Sequence, residues 1–168
     1  MTKTENGLEL LINLADILNS HRVWVETNGE KGVRANLSEA NLRNVNLWNC
    51  NFEGAILNNV DFTGADLNGS NFRGAYLPNA NFDGADLNGA NFECADLRNV
   101  NMVHANLECA KFQGANVDNA NFHGANLTGT ILEKRGGTLG NIAGTRQALE
   151  KLAKEHGFKI VSLGLELI

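Results

Sequence analysis

Four histidines and three cysteines are the residues of this 168-residue chain best suited to nucleophilic, acid–base or metal chemistry. His21, His104, His123 and His156 are scattered, and none has a serine and a carboxylate spaced to complete a hydrolytic set. A glycine-rich run at 136–144 precedes a helix-like stretch, as a phosphate-cradling loop would, but it lacks the Lys-Ser/Thr that would close on phosphate. Three cysteines cannot all pair with one another, and Cys50, Cys94 and Cys109 are read as free thiols of a reducing, cytoplasmic compartment. The expectation is a non-enzymatic chain without cofactor or metal.

The elements that carry these residues are set by a repeat. From Leu37 to Leu132 every fifth residue is large and apolar, twenty times running. The residue two before each is small, alanine in fourteen of twenty; the one just before is Asn or Asp in sixteen; the one two after is Gly or Asn in fifteen. In a helix a five-residue step turns about 140°, scattering the apolar positions over every face. In a straight strand an odd period sends alternate large residues to opposite faces. Only a chain that bends once per repeat keeps them all inward, and Gly or Asn supplies the left-handed backbone of the bends.

Strict Leu/Phe alternation from Leu47 to Phe92 gives a ten-residue period. An even number of repeats per coil turns that period into uniform columns, and four is the smallest number that encloses a core. Phe52, Phe72, Phe92 and Phe112 then stack on one wall, with Phe62, Phe82, Met102 and Phe122 opposite and leucine stacks between. The expected fold is an all-β solenoid, a quadrilateral β-helix of about five coils and roughly 24 Å in length at ~4.8 Å per coil. His104 and His123 lie one coil apart but in different columns, a poor alignment for a metal, and Cys94 and Cys109 fall at different corners.

Ala-Asn-Leu-Ser-Glu at 35–39, Ala-Asp-Leu-Asn-Gly at 65–69 and 85–89 and Ala-Asn-Leu-Thr-Gly at 125–129 resemble the pentapeptide-repeat family across residues 35–134. The resemblance implies a right-handed coil. It also implies a family with many members of unknown role, many of them cyanobacterial. Some members pair through C-terminal elements, and some resemble duplex DNA in shape and charge and bind type II topoisomerases, protecting gyrase from quinolones.

Outside the repeats, residues 1–34 read as a helical cap and linker. Leu8, Leu11, Ile12, Ala15 and Leu18 recur at helical spacing within 5–26, Asn6 and Glu9 form a capping box, and 27–32 is a turn-rich link. A bare β-helix end exposes strand edges and an open core, which such a helix covers. Glu5, Glu9 and Asp16 make the start a poor signal peptide, and the apolar run at 10–15 is too short to span a bilayer. Residues 135–168 read as a glycine-rich exit, a helix of about 145–156 and an apolar, strand-like tail containing Phe158, Ile160, Val161, Leu163, Leu165, Leu167 and Ile168. That tail either seals the last coil or joins two chains as a homodimer, since a soluble protein does not leave it exposed.

The net charge is −5, and residues 35–134 carry eleven acidic and five basic residues. No basic stripe exists, which excludes direct nucleic-acid binding. Asp66, Asp86 and Glu108 share one wall with no base, whereas the Phe52–Phe112 wall balances Glu53, Glu93 and Glu133 against Arg73, Lys111 and Lys134. A duplex mimic of this length needs about 14 charges, well above the net −6 of the repeats, so mimicry of DNA toward a topoisomerase is the alternative function, not the leading one. The leading expectation is a structural or protein-interaction module. Its docking patch is read at Ile56 and Tyr76, which replace Asn or Asp twenty residues apart, with Pro78 beside them and Trp48 nearby. The competing reading lays the N-terminal helix over that patch.

Overall fold

The structure is a computed structural model that describes residues 3–130, with side chains from residue 13 onward. Helix α1 spans Lys3–Glu26 as one unbroken element. It ends where Gly29, at φ 88°, turns its N–H back to the Trp24 carbonyl at 2.8 Å and Thr27 Oγ1 donates to the Val23 carbonyl at 2.7 Å. Gly32 then passes so close to the Ser20 carbonyl and the Trp24 amide that any side chain would collide with them. Leu14 is buried, and Ile17 and Leu18 pack partly buried against the core cluster that continues into the coils.

From Asn36 onward the chain winds with a twenty-residue register. Fifteen parallel bridges join each residue to its counterpart twenty positions on, from Asn36–Ile56 to Asn106–Asn126. Four bends therefore close each coil, and the described residues fill four coils and most of a fifth. The bends share one geometry. Ala55, for example, donates its N–H to the Phe52 carbonyl at 2.9 Å while Gly54 takes φ 67°. A hydrogen bond across three residues with positive φ at the third position is the type II turn, which explains the Gly/Asn preference. Glu39, Cys94, His104 and Cys109 hold the same left-handed conformation, with φ between 56° and 63°, without glycine or asparagine chemistry.

The core is built as columns. Phe52–Phe72, Phe72–Phe92 and Phe92–Phe112 stack at centroid distances of 5.0, 4.9 and 5.1 Å, and Phe62–Phe82 at 5.0 Å on the opposite wall. The two columns meet edge to face, Phe72 on Phe82 at 5.9 Å, which is the geometry aromatic quadrupoles favour. Where the small inward residue is polar its hydroxyl finds a carbonyl: buried Ser70 Oγ donates to Leu47 O at 2.8 Å. The expected C-terminal helix at 145–156, the tail from Phe158 to Ile168, His156 and the glycine run at 136–144 lie outside the described residues.

Candidate interaction surface

Each wall shows the solvent two outward residues per coil, and the first of them is structural. All sixteen Asn and Asp in that slot between 36 and 126 accept the N–H of the residue two positions on, closing an Asx turn. Spare amide groups then link coils, as in Asn101–Asn81 at 2.8 Å and Asn106–Asp86 at 2.9 Å. Such a wall is flat, polar and rigid, with its side chains already committed to one another.

Against that background the exceptions stand out. Ile56 and Tyr76 face each other across a bridge; Ile56 is half-buried and Tyr76 is 41% exposed. Tyr76 cannot close an Asx turn, but the residue two on is Pro78, which has no N–H to satisfy. Two members of the expected patch are placed differently from the sequence reading. Pro78 is buried and offers no surface, its compact ring standing in register between Asn58 and Arg98 of the adjacent coils. Trp48, at 61% exposed, lies two sides of the coil away from Ile56, on the opposite wall. There it lines a shallow concavity with Asn46, Asp66, Asn68 and Asp86. The half-buried Glu108 continues that wall toward the later coils.

Charge is distributed by wall. Arg43–Asp61 at 3.0 Å, Arg73–Glu93 at 3.5 Å and Arg98–Asp96 at 2.7 Å place one ion pair on each of the other three walls. The Arg98 hydrogen bond holds the Asp96 carboxyl below its usual range. For Asp61 partial burial pushes upward, and the hydrogen bonds from Thr63 and Arg43 more than offset it. The Trp48 wall carries Asp66, Asp86 and Glu108 with no Lys or Arg.

Reactive groups do not converge. His104 and His123 have ring centroids 6.0 Å apart, and no three His, Cys, Asp or Glu side chains among the described residues gather as a metal site. All three cysteines are free; Cys94 and Cys109 are exposed, and burial raises the Cys50 thiol. No helix among the described residues is long and apolar enough to cross a membrane.

One polar residue was missed by the sequence reading. His21 is 0% exposed, its Nδ1 accepts the Ala35 N–H at 3.1 Å, and its ring stacks on Trp24 at 5.6 Å. Its Nε2 has no partner, and burial, then the Arg34 charge, lower its pKa from the ordinary 6.5. The spacing of Leu14, Leu18 and His21 on one helical face was the available signal.

The pentapeptide repeats family model matches residues 35–74, 65–102 and 105–134. HetL, a pentapeptide repeat protein involved in heterocyst differentiation regulation from the cyanobacterium Nostoc sp. strain PCC 7120, is similar at 34% identity and TM-score 0.56. That likeness covers 59% of this chain and 47% of HetL, so the chain spans just under half of that relative. A pentapeptide repeat protein from the Arabidopsis thaliana thylakoid lumen matches at 30% identity over 70% of this chain and 75% of its own, with TM-score 0.37. QnrB1, a plasmid-mediated fluoroquinolone resistance protein, matches at 24% identity over 61% of this chain and 49% of its own, with TM-score 0.38. No curated protein matches in sequence. The chain belongs to the pentapeptide-repeat family, whose right-handed four-sided β-helix is its fold.

Proposed function

We propose that this protein is a non-enzymatic interaction module, a rigid rod that presents flat walls to a protein partner from the cytoplasm. The observation that carries the reading is the break in the Asx ladder at Ile56 and Tyr76, which leaves an aromatic side chain in solvent on a wall whose other outward residues are polar. Ordered ladders lose little conformational entropy on contact, so even a small anchor of this kind is effective. We assign residues 1–34 to a cap and 35–134 to the presenting rod; the packing of Leu14, Ile17 and Leu18 on the first coils supports that division. Three walls each carry an arginine–carboxylate pair, which speaks against a uniformly charged mimic of duplex DNA.

The test is a pull-down from lysate of the source organism, with captured proteins identified by mass spectrometry. Ile56→Asp combined with Tyr76→Asp is expected to abolish a specific capture without lowering the melting temperature. Capture that survives the double variant refutes the docking role of this patch, and a large loss of stability would make the pair structural.

A further inference from the structure

We propose that the Trp48 wall docks an arginine-bearing, extended segment of a partner protein, seating a guanidinium between the Trp48 ring and the carboxylates of Asp66 and Asp86. The proposal rests on the interaction-module reading and adds a second wall and a partner chemistry.

The walls themselves show what is missing. In every Asx slot occupied by aspartate, Oδ1 closes the local turn and Oδ2 is left over. At Asp61 that second oxygen takes Arg43, which stands eighteen residues earlier, at 3.0 Å. At Asp96 it takes Arg98, two residues later, at 2.7 Å. Asp66 closes the same turn to the Asn68 N–H at 3.2 Å, but the residue eighteen before it is Trp48 and the residue two after is Asn68. Asp86 has Asn68 and Asn88 in those places, and its Oδ1 already accepts both the Asn88 N–H and the Asn106 amide. Neither Oδ2 meets a cation among the described residues. Trp48 thus holds, relative to Asp66, the position that Arg43 holds relative to Asp61.

The wall is consequently short of positive charge in a defined place. Asp66 and Asp86 are bridged in register, about 4.8 Å apart along the rod, and like charges so placed repel unless a cation is shared between them. Trp48 is 61% exposed at the edge of the concavity those carboxylates line, and its ring face is the natural seat of a guanidinium. The protein makes this pairing elsewhere, with Arg34 lying 5.8 Å from the centroid of Trp24. Arginine fits better than lysine, because its plane stacks on the indole while its fork reaches two carboxylate oxygens. An extended segment fits better than a free amine, because Glu108 lies further along the same wall. Arginines two residues apart on such a segment start about 6.6 Å from one another, and their long side chains converge on carboxylates about 4.8 Å apart on successive coils.

The test uses the full chain and a fluorescein-labelled peptide of alternating glycine and arginine, read by fluorescence anisotropy at low and high salt. Peptides with citrulline or lysine in place of arginine serve as comparisons. The arginine peptide is expected to bind, the lysine peptide more weakly, and the citrulline peptide not at all. Trp48→Ala should weaken binding about three- to tenfold, the range a cation–π contact at an accessible site supports. Asp66→Asn with Asp86→Asn should weaken it at least about tenfold, while Tyr76→Ala on the opposite wall should leave it unchanged. Unaltered melting of Trp48→Ala confirms that folding is intact, as expected for an exposed side chain. Equal binding of the citrulline peptide, or full binding by Trp48→Ala, overturns the proposal. So does a peptide that binds no better than free arginine and is displaced by tetramethylammonium, which would make this a small-cation site. None of these failures touches the Ile56–Tyr76 pull-down, so the two readings fall separately.

Discussion

Acidification is expected to detach helix α1 from the first coil, and His21 is the reason. The neutral ring must carry its proton on Nε2, because Nδ1 accepts the Ala35 N–H. A second proton can only go to Nδ1, where it would break that bond, place a charge in a fully buried site and confront the Arg34 guanidinium. The closed state therefore titrates below the ordinary 6.5, whereas the opened state, with His21 in water, titrates near it. The sign follows. Above about pH 6.5 both states are neutral and closure is independent of pH; below it the open state binds the proton first, so the stability of closure falls with pH. The slope is at most about 1.4 kcal/mol per pH unit, so lowering the pH from 6.5 to 5.0 costs up to about 2 kcal/mol and levels off once the closed state also protonates. The readout is hydrogen exchange at the Ala35 amide, with the His21 ring proton followed by NMR. Protection of Ala35 should fall by up to about thirtyfold beyond the intrinsic pH dependence of exchange. His21→Asn, whose side-chain oxygen can replace the Nδ1 acceptor, should flatten the response. A ring that titrates at or above 6.5 in the closed state, or an Ala35 amide whose protection ignores pH, refutes the reasoning.

Three further outcomes are expected. Phe72→Ala, with stacked rings on both sides, should destabilise the rod by about 3–5 kcal/mol in a denaturant melt, and Phe112→Ala, stacked on one side and 6% exposed, should cost less. Gly84→Ala should cost only the left-handed backbone penalty of about 1–2 kcal/mol, because nothing lies within 4 Å of the added carbon. Gly32→Ala, whose added carbon runs into the Ser20 carbonyl and the Trp24 amide of the backbone, should cost visibly more, and equal melting of the two would refute the steric reading. Arg98→Gln should raise the Asp96 pKa toward the ordinary 3.8, so that the stability this carboxylate contributes above that pH is largely lost and its share of the acid-dependent loss of stability flattens; an NMR titration of the Asp96 carboxyl checks this.

The coil was legible because each position in the five-residue unit answers to a local requirement. The large residue fills a column, the small one lets it close, the left-handed residue makes the bend, and Asn or Asp closes the turn. Those requirements are independent of distance along the chain, so the twenty-residue register and the phenylalanine columns follow from spacing alone. Which outward residues share a wall is less forgiving. Trp48 and Ile56 are eight residues apart, near in sequence, yet two bends separate them and put them on opposite sides. The burial of His21 was legible only in part, since its helical spacing with Leu14 and Leu18 points inward but the Ala35 amide and Trp24 ring that hold it are set by packing.

This difference decides how the surface should be read. An asparagine in the ladder is fully accounted for by the turn it closes, so it carries no information about a partner. Only the residues that leave that duty undone call for another explanation, and among the described slots these are Ile56, Tyr76 and Lys111. Aspartate is a partial case. Its first oxygen serves the turn and its second is surplus, so a carboxylate with an arginine beside it is explained and one without is not. By that criterion Asp61 and Asp96 belong to the fold, whereas the outer oxygens of Asp66, with Trp48 where an arginine would stand, and of Asp86, with Asn68 there, are left to serve something outside it.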